Sequence, residues 1–224
     1  MSARESVLAG IRRSLGVAGD EATRRFEVET RLKAAPPGVV PKRGQGDAAA
    51  RLAVFKAEAE RAQASLAEVG TWAEAPAEIA RFLRENNCPA TLRMGADARL
   101  AAMPWGETAL EILHGASDGR DANAVSVAFG GIAESGTLAL VSGADNPTTL
   151  NFLAENHIVV LPREAIAADY ESVFASLRAT YGKGQAPRTL NFITGPSRSA
   201  DIEQTLLLGA HGPRRLHIVV VGEA

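Results

Sequence analysis

The run Leu216 to Val221, Leu-His-Ile-Val-Val-Val, constrains the fold more than any other part of the chain. It is nearly all apolar and β-branched, as expected of a strand covered on both faces in a largely parallel sheet. Shorter apolar runs near 90–94, 110–113, 124–129, 137–142, 158–161 and 189–193 are bounded by turn residues and read as strands. Helical periodicity falls between them. Tyr170, Val173, Phe174, Leu177 and Tyr181 share one side of a helix over 169–181 that stops at Gly182, and a further helix is expected over 199–208, stopping at Gly209. Strands alternating with helices predict a layered α/β fold: a largely parallel sheet flanked by helices.

The first half is more helical. Leu52, Phe55, Ala59, Ala62, Leu66 and Val69 form a stripe at helical spacing, with Lys56, Glu60 and Gln63 off it. A second helix opens on Pro76 and runs through Ile79, Phe82 and Leu83. Val7, Leu8, Ile11 and Leu15 mark an N-terminal helix that Gly16 can end. Residues 34–47 are rich in Pro and Gly, have no periodicity and read as a linker. The expected organisation is an N-terminal helical arm over 1–46 and an α/β domain over 47–224, the arm holding too little apolar surface to fold alone.

Lys plus Arg number 24 and Asp plus Glu 26, a net charge of −2 that offers no case for a nucleic-acid or membrane partner. No apolar run approaches the ~20 residues of a membrane span, and Met1 to Gly16 has no continuous apolar core of the secretory kind. The one cysteine, Cys88, rules out an intrachain disulfide. These features set the expectation of a cytoplasmic protein.

Two segments can carry chemistry. Gly130–Thr137 places three glycines, the Glu134 carboxylate and two hydroxyls between two apolar runs. Glu134 is the candidate base or nucleophile, with Gly136 and Thr137 beside it as ligand contacts. A tight turn whose glutamate accepts backbone N–H groups explains the same residues. Thr194, Gly195, Pro196, Ser197 and Arg198, followed by Asp201, join a strand to the helix expected after them. Hydroxyls, a guanidinium and free backbone N–H groups at a helix N-terminus suit a carboxylate or phosphate. Capping accounts for Ser199 and Asp201 but gives Gly195, Pro196 and Arg198 no purpose. His157 and His211 are further ligand candidates, whereas His217 within the last strand reads as a hydrogen-bonded core residue. No metal site is expected, because the four histidines lack close ligand spacing. The Gly131–Gly136 spacing is not a P-loop, since Thr137 stands in the lysine position and a strand follows. One thiol cannot hold a four-cysteine iron–sulfur cluster, so no cofactor is expected on this chain.

Ile132–Thr137, Asn156–Val160, Thr194–Glu203 and Gly209–Pro213, in this order and spacing, resemble the lactate-utilization protein C family, which carries the LUD domain. The N-terminal helix is similar too. The resemblance implies a fold related to ribose-5-phosphate isomerase and the CoA transferases. It also implies a part in oxidising L-lactate to pyruvate, together with iron–sulfur partner proteins that carry the electrons. The expected role is binding of a small organic acid or assembly with those partners, and a homo-oligomer stays open. Two other readings stand beside it: a stand-alone enzyme of CoA-transferase or sugar-phosphate isomerase type using Glu134, and a regulatory module that senses an organic acid. The chain departs from the family before the His157 strand, where members often carry an arginine and this sequence has Asp145-Asn146-Pro147-Thr148-Thr149-Leu150.

Overall fold

The computed structural model describes residues 2–200, 206–209 and 211–222. The chain divides into two compact units, Met1–Val39 and Val40–Ala224. In the first, α1 (Ala3–Leu15) begins on a capping box between Ser2 and Glu5 and ends on Gly16 in the left-handed region. A second helix, α2 (Ala22–Ala34), was not anticipated, because its charged residues show no clear apolar stripe. The second unit takes in residues 40–46, which the sequence reading assigns to the arm. Gln45 there donates to Asp169 Oδ2 at 2.8 Å, and Arg43 pairs with Glu58.

That unit runs through α3 (Ala48–Arg61), β1 (Ser65–Val69), α4 (Ala75–Glu85), β2 (Thr91–Met94), α5 (Ala98–Ala101), β3 (Glu111–His114) and β4 (Asn123–Val127). It continues through β5 (Gly130–Ile132), β6 (Thr137–Val141), α6 (Thr148–Phe152), β7 (Asn156–Pro162), β8 (Ile166–Ala167) and α7 (Tyr170–Tyr181). The last elements are β9 (Leu190–Ile193), β10 (Arg198–Ala200), β11 (Leu206–Leu208) and β12 (Arg215–Val221). Six strands form an all-parallel sheet in the order β1-β12-β7-β4-β2-β3. The expected α/β architecture, a mostly parallel sheet flanked by helices, is therefore observed.

The apolar run in β12 is buried on both faces, as its composition requires. Val219 and Val221 join Ile158 and Val160 of β7 under Ile79, Phe82 and Leu83 of α4. Ile218 and Val220 face the other way with Val159 and Leu161, under Leu52, Phe55 and Ala59 of α3. On this second side lies a four-stranded sheet, β8-β5-β6-β9, whose Leu138 and Leu140 complete the same core. Its outer face, including Ile132 and Ala139, packs on Val173 and Leu177 of α7.

Two expectations are corrected. The stripe from Leu52 to Val69 is not one helix: α3 ends at Arg61, Gln63 turns through φ 70°, and β1 follows. Ser65–Val69 pair in parallel with His217–Val221, and Leu66 and Val69 pack on opposite faces of the large sheet. Period two thus replaces the helical period after Gln63. The helix expected over 199–208 is also absent from the described part of that segment. Arg198–Ala200 pair antiparallel with Leu206–Leu208, a hairpin that uses the backbone groups a helix would need.

Candidate ligand site

The loop after β9 is held by close backbone packing. Gly195 has φ 72°, and a Cβ there would stand 2.1 Å from the Ala62 carbonyl oxygen at the end of α3, so the loop lies directly on that helix. Ser197 then donates its N–H to Pro213 O at 2.8 Å, and its carbonyl accepts from Gly209 at 2.9 Å. These bonds tie Ser197 to Gly209 and Pro213, and so the Thr194–Arg198 loop to the one that holds His211. Among the described residues, Arg198 opens the strand Arg198–Ala200 rather than a helix, so the expected capping by Ser197 or Ser199 and anion binding by a helix end at that point are not seen there. His211 correspondingly follows a strand rather than a helix.

The two tied loops wall a cavity of about 270 Å³. Thr194, Gly195, Pro196, Ser197, Arg198 and His211 line its sides, and His157, Asn151 and Leu216 line it where β7 and β12 begin. Arg198 and His211 are exposed, which makes them a cationic or hydrogen-bonding rim. The cavity is therefore at the N-terminal ends of the parallel strands, opposite to the usual ligand position in open α/β sheets. Seven of the residues singled out from sequence thus share one hollow. Asp201 lies outside the described residues.

Beneath that hollow, His157 is fully buried, and the loss of solvation pushes its pKa down to about 3, leaving a neutral imidazole near neutral pH. Its Nε2 lies 3.2 Å from Ser126 Oγ, which in turn lies 3.0 Å from Asn151 Oδ1. Neither Ser126 nor Asn151 was read as a site residue. A serine inside the otherwise apolar run 124–129 was the available signal, since burying a hydroxyl on both sides of a sheet is costly without partners.

Glu134, Gly136 and Thr137 do not line the cavity. Glu134 sits on a short 3₁₀ turn between β5 and β6, where its Oε1 accepts the Tyr170 N–H at 3.2 Å at the start of α7. Gly136 takes φ 62° against α3, where a Cβ would meet Ala59 N at 2.3 Å. Thr137 is buried, and its Oγ1 lies 2.8 Å from Ser135 Oγ, 3.2 Å from the Tyr170 hydroxyl and 2.7 Å from Thr194 Oγ1. This hydroxyl chain connects the acidic bend to the Thr194 loop. Its Tyr170 member was also missed, because the sequence showed it only as part of a helix stripe.

A second polar cluster lies behind the Pro196 loop. His217 stacks on Phe82 at 4.0 Å between centroids, with Nδ1 2.8 Å from Ser65 Oγ and Nε2 3.3 Å from Glu78 Oε1. Burial pushes its pKa down to about 4 against the pull of Glu78, in keeping with a core histidine. Among the described residues, no group of three His, Cys, Asp or Glu is placed to hold a metal ion, and no helix is long and apolar enough to cross a membrane.

Over 100 residues the chain is 39% identical to Lactate utilization protein C of Geobacillus thermodenitrificans, covering 43% of this chain and 42% of the relative. It is 36% identical over 92 residues to the protein of that name from Shouchella clausii, covering 41% of this chain and 40% of the relative. The alignments thus span about two fifths of the relatives' lengths. The crystal structure of a DUF162 family protein from Deinococcus radiodurans shares the fold, with a TM-score of 0.60 at 24% identity, over 80% of this chain and 100% of its own. The LUD domain matches residues 52–221, a span that holds both sheets and the whole cavity. The chain belongs to the LUD domain family.

Proposed function

We propose that this chain acts in lactate utilization, in the cytoplasm, as a subunit that binds a small organic acid while iron–sulfur partner proteins carry the electrons. The observation that carries the reading is the cavity of about 270 Å³ between the Thr194–Arg198 loop and His211. Its volume suits a small ligand, Arg198 can take a carboxylate, and the loop hydroxyls and amides can take its remaining oxygens. The relatives named Lactate utilization protein C supply the pathway. A single thiol, Cys88, is too few for a four-cysteine cluster, which is in keeping with such clusters being carried by other chains.

Thermal-shift titration of the whole chain with lactate, pyruvate, sugar phosphates and CoA esters tests the ligand class. A ligand at a hundred times its Kd adds about 2.7 kcal/mol of stability, readily seen as a higher Tm. Arg198→Ala is expected to abolish the shift given by acids. Co-purification with iron–sulfur proteins and loss of growth on lactate after deletion test the assignment to the pathway. Absence of any acid-induced shift, together with normal growth on lactate, would show the reading to be wrong. Enzymatic use of Glu134 finds no support in the geometry, because its carboxylate is engaged at the start of α7 and lies outside the cavity wall.

A further inference from the structure

The cavity ends on polar groups that an acid clamp at its rim leaves unexplained. Ser126, Asn151 and His157 are each only 1% exposed. Ser126 Oγ bridges the other two, at 3.0 Å from Asn151 Oδ1 and 3.2 Å from His157 Nε2. The outer ends of this chain are left over: Asn151 Nδ2 and His157 Nδ1 are buried without a hydrogen-bond partner among the described residues. Both residues line the cavity. Unpaired polar atoms in a packed interior are costly, and two of them on residues that line one cavity point to a ligand that completes them.

The relay fixes what they offer. If Ser126 donates to Asn151 Oδ1, it accepts from His157 Nε2–H, so Nδ1 shows a lone pair and Asn151 shows an N–H. If the relay runs the other way with the amide turned over, Nδ1 carries the proton and Asn151 shows its oxygen. Either direction presents one donor and one acceptor side by side.

We propose that Asn151 and His157, coupled through Ser126, form the recognition floor of this cavity and select a ligand with a hydroxyl beside an acceptor oxygen, as in a 2-hydroxy carboxylate. The inference rests on the acid-binding reading above and names the feature of the acid that is read. The ligand hydroxyl donates to one floor atom, a carboxylate oxygen accepts from the other, and the second carboxylate oxygen is left for Arg198. A 2-oxo acid offers acceptors only, so one floor group would face a lone pair. An acid with hydrogen at that carbon would leave the same group empty. Sites built to bond a hydroxyl discriminate strongly against analogues lacking it. The neutral state of buried His157 keeps the floor from acting as a plain anion hole.

Isothermal titration of the full chain with lactate, pyruvate and propionate separates the possibilities. Lactate is expected to bind at least ~10-fold tighter than either analogue. In Asn151→Leu, that preference should fall to within about threefold. Should Asn151→Leu not fold, Ser126→Ala cuts the relay from beneath and should give the same loss of preference. Equal binding of all three acids to the wild type, or an undiminished preference in the folded variant, overturns the recognition floor while leaving acid binding intact. Binding of none of them overturns the acid-binding reading and this inference with it.

Discussion

Acidification should weaken the fold through two buried histidines, and the size of the effect follows from their surroundings. His157 is held at a pKa of about 3 and His217 at about 4, against 6.5 for an exposed imidazole. Both folded values are depressed, so the unfolded chain takes up protons first. The stability they contribute is whole above 6.5 and is lost progressively as the pH falls toward the folded values. At about pH 5, each histidine has forgone roughly 1.5 pK units of proton uptake, or about 2 kcal/mol, giving about 4 kcal/mol for the pair. Glu78, Asp97 and Asp169 do not confuse this window. In each, burial is outweighed by hydrogen bonds, from Arg81, Arg99 and Gln45 respectively, and the carboxyl titrates below its ordinary value. Urea unfolding followed by tryptophan fluorescence reads the second unit, where Trp105 is buried beside α4. With a slope of ~2–3 kcal/mol per molar, the midpoint should drop by about 1–2 M between about pH 7.5 and pH 5. A drop under about 0.5 M would mean that these imidazoles are accessible to protons in the folded state, and the burial argument would be refuted.

Gly195→Ala should shift the Thr194–Arg198 loop, because its Cβ would stand 2.1 Å from Ala62 O. The expected cost is about 1–3 kcal/mol together with loss of acid binding, read by Tm and calorimetry. Gly136→Ala meets the α3 backbone at Ala59 and should lower the Tm by a similar amount, without changing acid affinity in the protein that still folds. Phe55→Ala removes a fully buried ring from the core between the two sheets and should cost about 3–5 kcal/mol in urea unfolding. Glu134→Gln keeps an oxygen for the Tyr170 N–H and lies outside the cavity wall, so acid affinity by calorimetry should stay within about twofold of the wild type. A larger loss would bring Glu134 back as a ligand contact.

Much of the architecture was legible because period and composition are local properties. The unbroken β-branched run at 216–221 marked a strand covered on both faces, and β12 is that strand, with alternate residues in two cores. Pro76 and Ile79-Phe82-Leu83 marked α4, and Asp169 and Gly182 bracket α7 as caps. The loop that lines the cavity was recognisable because Gly195, Pro196 and Arg198 exceed what capping needs. Other elements were not legible for equally local reasons. Leu66 and Val69 continue a helical stripe by coincidence, and only the parallel pairing of Ser65–Val69 with β12 turns that segment into a strand. The 198–208 segment has residues that would cap a helix, yet Arg198–Ala200 find their partners in Leu206–Leu208.

By itself, the sequence determined the class of fold, most of its strands and the loop that walls the cavity. The tertiary structure alone decided what lies beneath that loop. Ser126 meets His157 because β4 and β7 pair in parallel with Ala124 opposite His157, and α6 packs on β4 and brings Asn151 within reach. Hydrophobic periodicity reports which way a side chain faces within its own element. Which distant element it meets depends on sheet order and register, which are settled by packing across the whole domain.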